Sequence, residues 1–158
     1  MGMPICPERD GVHLFIKSNP LAVRGGLASL LASPLLCSLN DAARGTAEIV
    51  LAEVLNNIVE HAYADMSGNI QITLCSRAGG VFVDIHDQGH PFPQEALPQG
   101  TLPQTCPTNG LPEGGFGWFL IRSLVQNLTY RRVNVENHLS FLLPAEADAE
   151  TVSSSRPT

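Results

Sequence analysis

The chain has 158 residues, 44% of them hydrophobic and 15% charged, with a formal net charge of −6; this leaves room for one domain with a substantial core and argues against wholesale disorder. Lys17 is the only lysine, and the arginines (Arg9, Arg24, Arg44, Arg77, Arg122, Arg131, Arg132, Arg156) are scattered, so the basic stripe that nucleic acid requires is missing. The N-terminal MGMPICPERDG carries charge and proline where a signal peptide needs an apolar run, and the most apolar stretch, residues 27–39, is broken by Ser and Pro and too short to span a bilayer.

Cytoplasm is therefore the expected compartment, with no membrane attachment. The four cysteines, Cys6, Cys37, Cys75 and Cys106, form no CxxC pair, so neither a zinc knuckle nor a thioredoxin-like motif is supported, and they read as reduced thiols.

In chain order, residues 1–10 read as a flexible arm. Residues 12–16 have the composition of a strand, and Ser18-Asn19-Pro20 opens a helix expected to run to about residue 32, before Pro34. Asp41 can cap a longer helix through about residue 63, although Gly45 weakens its first turns. Its apolar residues Val50, Leu51, Val54, Leu55, Ile58, Val59 and Ala62 recur at helical spacing and make one broad face.

Two strands are expected at 70–75 and 81–86, joined by Arg77-Ala78-Gly79-Gly80 as a hairpin. Residues 88–115 are dense in Pro, Gly, Gln and Thr with no apolar period; a loop that long inside a compact domain is usually functional. A helix over 116–127 and strands over 128–135 and 138–143 follow, and residues 145–158 read as a disordered tail. This order predicts an α+β fold: a two-layer sandwich, with a mostly antiparallel sheet covered by helices on one face.

Three groups of residues carry candidate chemistry. Glu53 and Asn57 stand four apart on the long helix, on the face away from the apolar stripe, with Glu60 further along it. A carboxylate can take a proton from a hydroxyl, and an Asn carbonyl oxygen is a hard ligand suited to Mg²⁺; alone, such a pair is also an ordinary solvated face. Asp87-Gln88-Gly89-His90-Pro91-Phe92 follows the second central strand. The Asp carboxylate can accept from an exocyclic amine such as that of adenine, with Gly89 allowing close approach, although Asp-x-Gly is equally common turn chemistry.

Gly114-Gly115-Phe116-Gly117 opens the next helix, where free N–H groups and the positive end of the helix dipole suit phosphate. The chain contains no GxxxxGK[ST], so this is no P-loop. Asp84 and His86 fall on the same side of their strand with His90 close in sequence, but no matching ligand cluster is visible elsewhere, so a histidine metal site is not expected.

Taken in order, Glu53 and Asn57 with His61-Ala62-Tyr63, then Asp87 to Phe92, then Gly115 and Gly117 entering FLIRSL resemble the Bergerat-fold ATPases of the GHKL group. Within it the sequence is most similar to bacterial anti-sigma-factor serine/threonine kinases of the partner-switching type, over residues 12–143. The resemblance implies a histidine-kinase-like ATPase domain over 11–144, with a lid loop at about 93–113. It also implies ATP and Mg²⁺ as cofactors, and a sigma factor and an anti-anti-sigma STAS protein as partners, with a homodimer left open.

By position, Glu53 matches the family's general base and Asn57 its Mg²⁺ ligand. Asp87 and Gly89 match the adenine-reading pair, and Gly115, Phe116 and Gly117 match the phosphate loop. One departure stands out: residues 93–113 contain no Lys or Arg, where many members place a basic residue to meet the γ-phosphate. Two alternatives therefore stand beside the kinase. One is an ATP-binding partner-switch regulator without catalysis. The other is the catalytic module of a histidine kinase, which would need a phosphoacceptor hairpin upstream of Val12.

Overall fold

The computed structural model describes residues 11–99 and 116–146. The expected arm, most of the lid including Gly115, and the tail beyond residue 146 lie outside the described residues.

Strand β1 (Val12–Lys17) leads into helix α1 (Pro20–Leu31). The Asn19 side chain caps α1 by accepting from the Ala22 N–H at 2.8 Å, and proline occupies its first turn, where a missing N–H costs nothing. Pro34 does not simply end the helical region: it begins a further short helix, α2 (Pro34–Cys37), because proline suits a first helical turn as well as it stops a preceding one.

Helix α3 (Asp41–Asn57) carries the apolar stripe, with Val50, Leu51, Val54 and Leu55 fully buried. Its cap is Asn40, whose side chain accepts from the Ala43 N–H at 2.8 Å; Asp41 is instead the first helical residue. After Asn57 the α-helical hydrogen bonding gives way to a π turn, Ile58–Ala62, closed by Tyr63 N–H donating to the Ile58 carbonyl at 3.3 Å. A helix of the expected extent is therefore present, but its last turn is wound differently.

Strands β2 (Asn69–Arg77) and β3 (Gly80–Asp87) form the expected hairpin around Ala78-Gly79. Beyond the loop, α4 (Phe116–Leu124) stops three residues earlier than expected, and Asn127, with φ 54°, stands in the irregular start of β4 (Gln126–Val133). A tight turn with Asn134 at φ 55° returns the chain into β5 (Glu136–Pro144). Asn tolerates this left-handed backbone better than most residues.

The five strands lie in the order β1-β2-β3-β5-β4, every pair antiparallel. Alternation decides the layers. Ile70, Ile72 and Leu74, Val81, Val83 and Ile85, and Leu139, Phe141 and Leu143 point to one face and form a single buried cluster with α3 and with Ile121 of α4. Truncating such a side chain, Leu51→Ala for example, costs about 2–5 kcal/mol. The opposite face carries Gln71, Thr73, Phe82, Asp84, His86 and His138, half-buried and without a covering helix among the described residues. The expected α+β sandwich with helices on one face is what forms.

No helix among the described residues is long and apolar enough to cross a membrane. Of the four cysteines expected as thiols, Cys37 is free and exposed, whereas Cys75, buried on β2, is disulfide-bonded.

Candidate functional site

The site is built where the end of α3, the start of α4 and the ends of β3 and β5 meet. Because Val50, Leu51, Val54 and Leu55 turn one side of α3 into the core, Glu53 and Asn57 are carried on another flank, half-buried, against α4. The contact is close: a methyl group on Gly117 would stand 2.6 Å from Glu53 Oε2 and 3.4 Å from Asn57 Nδ2. With glycine at this position the backbone at the start of α4 lies directly against the two polar groups. Asn57 Nδ2 and Trp118 Nε1 are buried with no hydrogen-bond partner among the described residues. Buried polar groups are nearly always paired, so these two point at something that supplies the missing contact. The oxygen donors of Glu53 and Asn57 are of the hard kind that Mg²⁺ prefers.

The π turn prepares the second half of the site. It presents the Ala62 carbonyl to the His90 N–H at 2.8 Å and brings the Tyr63 hydroxyl within 3.0 Å of both the Gln88 N–H, which it accepts, and the Asn69 carbonyl, to which it donates. Ala62 and Tyr63 are thus the abutment on which the loop after β3 is folded. Gly89 lies so near that a methyl group there would be 2.5 Å from the Ala62 carbonyl oxygen.

Asp87 ends β3 with only 5% of its surface exposed. Its Oδ1 accepts from the Gly89 N–H at 2.9 Å and from Asn137 Nδ2 at 2.8 Å. No hydrogen bond from a described residue reaches Oδ2, which is left for a donor such as an amine. Burial pushes the Asp87 carboxyl above the usual range, against the opposing pull of the Asn137 and Gly89 hydrogen bonds and the Arg132 charge.

Asn137 is the hub of this half. Its Oδ1 accepts from the Tyr130 hydroxyl at 2.7 Å and Arg132 Nη1 at 2.9 Å, while Arg132 also donates to the Gly89 carbonyl at 2.7 Å. Phe92 joins the two halves. Its N–H donates to the Tyr130 oxygen at 3.1 Å, and its ring meets those of Tyr130 and Trp118 edge-on, with centroids 5.0 and 5.3 Å apart.

Comparison with known proteins fits this arrangement. The family described as "Histidine kinase-like ATPase domain" matches residues 20–143, from the first turn of α1 to the end of β5. The chain belongs to the histidine kinase-like ATPase domain family. Among its relatives, "Serine-protein kinase RsbW" of Oceanobacillus iheyensis is 36% identical over 84 residues, 51% of this chain and 53% of that one. The protein of the same name from Halalkalibacterium halodurans is 31% identical over 83 residues, 51% of each chain. That of Staphylococcus epidermidis is 36% identical over 86 residues, 52% of this chain and 54% of the other. The chain spans about half the length of the curated relatives it matches.

Within this histidine kinase-like ATPase domain the sequence-derived residues divide as follows. Glu53, Asn57 and Gly117 come together, as do Asp87 and Gly89. Phe116 supplies the first residue of α4, and Gly115 lies outside the described residues. Glu60 stands exposed on the π turn. His90 pairs with Asp65, Nε2 to Oδ1 at 2.6 Å, rather than with Asp84 and His86. Sequence reasoning missed Tyr63, Tyr130, Arg132 and Asn137 as participants. Tyr63 stood in the quoted motif without a role; the other three become visible only when β4 and β5 are paired beside β3.

Proposed function

We propose that this chain is an ATP-dependent serine/threonine protein kinase acting as an anti-sigma factor, which binds a sigma factor and phosphorylates a serine of an anti-anti-sigma STAS protein. The observation that carries the reading is the convergence of Glu53, Asn57 and the bare backbone of Gly117, beside a buried carboxylate at Asp87. The names of the relatives, serine-protein kinases, agree with it.

In this reading Asp87 accepts from the adenine amine through Oδ2, with Gly89 and Asn137 holding the carboxylate still. Gly115, Phe116 and Gly117 lead phosphate to the start of α4, where backbone N–H groups and the helix dipole meet its charge. Glu53 takes the proton of the attacking serine hydroxyl as the oxygen–phosphorus bond forms and the bond to the bridging oxygen breaks, releasing ADP. Asn57 would hold Mg²⁺, whose chemistry is to neutralise charge on the phosphate oxygens.

A second reading, a nucleotide-dependent partner switch without phosphoryl transfer, is favoured by the absence of Lys and Arg from residues 93–113, since no side chain there neutralises the γ-phosphate. One experiment separates the two. The full chain is incubated with labelled Mg-ATP and each STAS protein of the same genome, beside the Glu53→Gln variant. Serine label that depends on Glu53 supports the kinase; an ATP-dependent complex with a sigma factor and no label on any STAS protein supports the switch.

A further inference from the structure

The uncovered face of the sheet holds a second constellation, behind the one just described. β3 and β5 pair so that His86 lies opposite His138 and Asp87 opposite Asn137. Alternation then sends Asp87 and Asn137 toward the helices and the two histidines, with Glu136 and Asp84, to the other side. The imidazoles stack, centroids 3.8 Å apart and planes at 18°. Glu136 reaches both: Oε2 lies 2.9 Å from His138 Nε2 and Oε1 3.9 Å from His86 Nδ1. Asp84 Oδ2 lies 3.2 Å from the other nitrogen of His86, Nε2.

We propose that His86, His138 and Glu136 form a binding site for a divalent transition metal of the Zn²⁺ class on the open face of the sheet.

The donor set is of the right kind, two imidazoles and a carboxylate, which is the ligand chemistry of open zinc sites with a position left for water. One ligand atom from each of the three residues falls within 4.8 Å of the others. Around a tetrahedral ion with bonds of about 2.0–2.2 Å, neighbouring ligand atoms stand about 3.3–3.6 Å apart; here the two nitrogens lie 2.9 and 3.9 Å from different oxygens of Glu136. To close the set the two imidazoles must turn out of their stack, so that both lone pairs converge on one ion.

Asp84 supplies the usual outer partner. By accepting a hydrogen from His86 Nε2, it leaves the lone pair on Nδ1, the nitrogen that faces Glu136. The side chains of His86 and His138 are 27% and 16% exposed, enough for an ion to enter and for water to complete its shell. Arg131, opposite His138 on β4, is the opposing charge, set against two carboxylates. Nothing in this site depends on nucleotide or on the proposed kinase activity, and Mg²⁺, which prefers oxygen, is not the ion it selects.

The test is a Zn²⁺ titration by calorimetry of the untagged full chain, without nucleotide, together with the visible absorption spectrum of Co²⁺ in the same chain. A single ion bound per chain is expected, with a Co²⁺ spectrum of nitrogen–oxygen ligation. His86→Gln and His138→Gln, which keep side-chain size, are each expected to weaken binding by at least the roughly 10–100-fold that loss of an outer-shell partner brings. Circular dichroism and thermal midpoint in the absence of metal report whether each variant is folded, and Glu136→Gln provides a third ligand deletion should one fail. His13→Gln, on the same face in β1, and Cys37→Ser, which removes the exposed free thiol, are expected to leave the titration unchanged. Binding that survives the loss of both histidines, that disappears with Cys37, or that is not detected with the wild-type chain overturns the proposal.

Discussion

Asn137 Nδ2 donates to Asp87 Oδ1 across the β3–β5 pair at 2.8 Å, with both residues at most 5% exposed. The bond fixes the orientation of a buried carboxylate and turns its second oxygen to whatever enters the site. Asn137→Ala is expected to cost about 1–3 kcal/mol, since it strips a partner from a buried acceptor and removes one hydrogen bond each from Tyr130 and Arg132. Denaturant midpoints of the two proteins check this, and an unchanged midpoint would reduce Asn137 to a spectator.

Ionisation of the same carboxylate sets a pH dependence. Burial raises the folded-state pKa of Asp87 above its unfolded value, so the folded chain holds the proton to higher pH. The associated stability is fully present below the unfolded pKa, about 3.9, and is lost as pH rises through the folded one. Asp87→Asn keeps an oxygen for Gly89 and Asn137 but cannot ionise. Unfolding free energies measured between acid and neutral pH are expected to fall with rising pH for the wild type relative to this variant. Parallel curves would remove Asp87 as the source.

The two glycines of the site make contrasting predictions. At Gly89 an added methyl group meets the Ala62 backbone carbonyl at 2.5 Å, which cannot move without unwinding the π turn, so Gly89→Ala is expected to lower stability by about 1–3 kcal/mol. At Gly117 the obstacle at 2.6 Å is the end of the Glu53 side chain, which can rotate away. Gly117→Ala is therefore expected to leave the thermal midpoint nearly unchanged while reducing phosphoryl transfer. Equal losses of stability at both positions would contradict this geometry.

Glu53→Gln is expected to bind Mg-ATP within a few-fold of wild type and to lower transfer to the protein substrate by about 10²–10⁴. Rapid-quench measurement at saturating ATP separates the two effects, and undiminished transfer would exclude Glu53 as the base.

Asn57→Ala is expected to weaken ATP binding far more in Mg²⁺ than in EDTA, because the lost oxygen acts through the ion. Calorimetric titrations in the two buffers measure the difference. Equal weakening would assign Asn57 a packing role against Gly117 alone.

By itself the sequence determined what depends on short-range periodicity and termini. The apolar stripe of α3, the Asn19–Pro20 helix start and the β2–β3 hairpin follow from residues within a few positions of one another, and the two-layer arrangement from the order of the elements. Glu53 and Asn57 were readable as partners because four residues make about one helical turn. Tertiary structure alone decided the rest. The short helix at Pro34 uses proline's fitness for a first helical turn, and the π turn after Asn57 has no signature in the spacing of the apolar residues. The meeting of Gly117 with Glu53, 64 positions away by their numbers, needs α4 laid on α3. Asn137 under the Asp87 loop and His138 beside His86 need the register of β3 against β5, and Arg132 needs that of β4 against β5 as well. A one-residue slip of β5 against β3 would carry Asn137 and His138 to the other face of the sheet. That register is set by the burial of Leu139, Phe141 and Leu143 against α3, a cooperative property of the whole core that no local window of sequence contains.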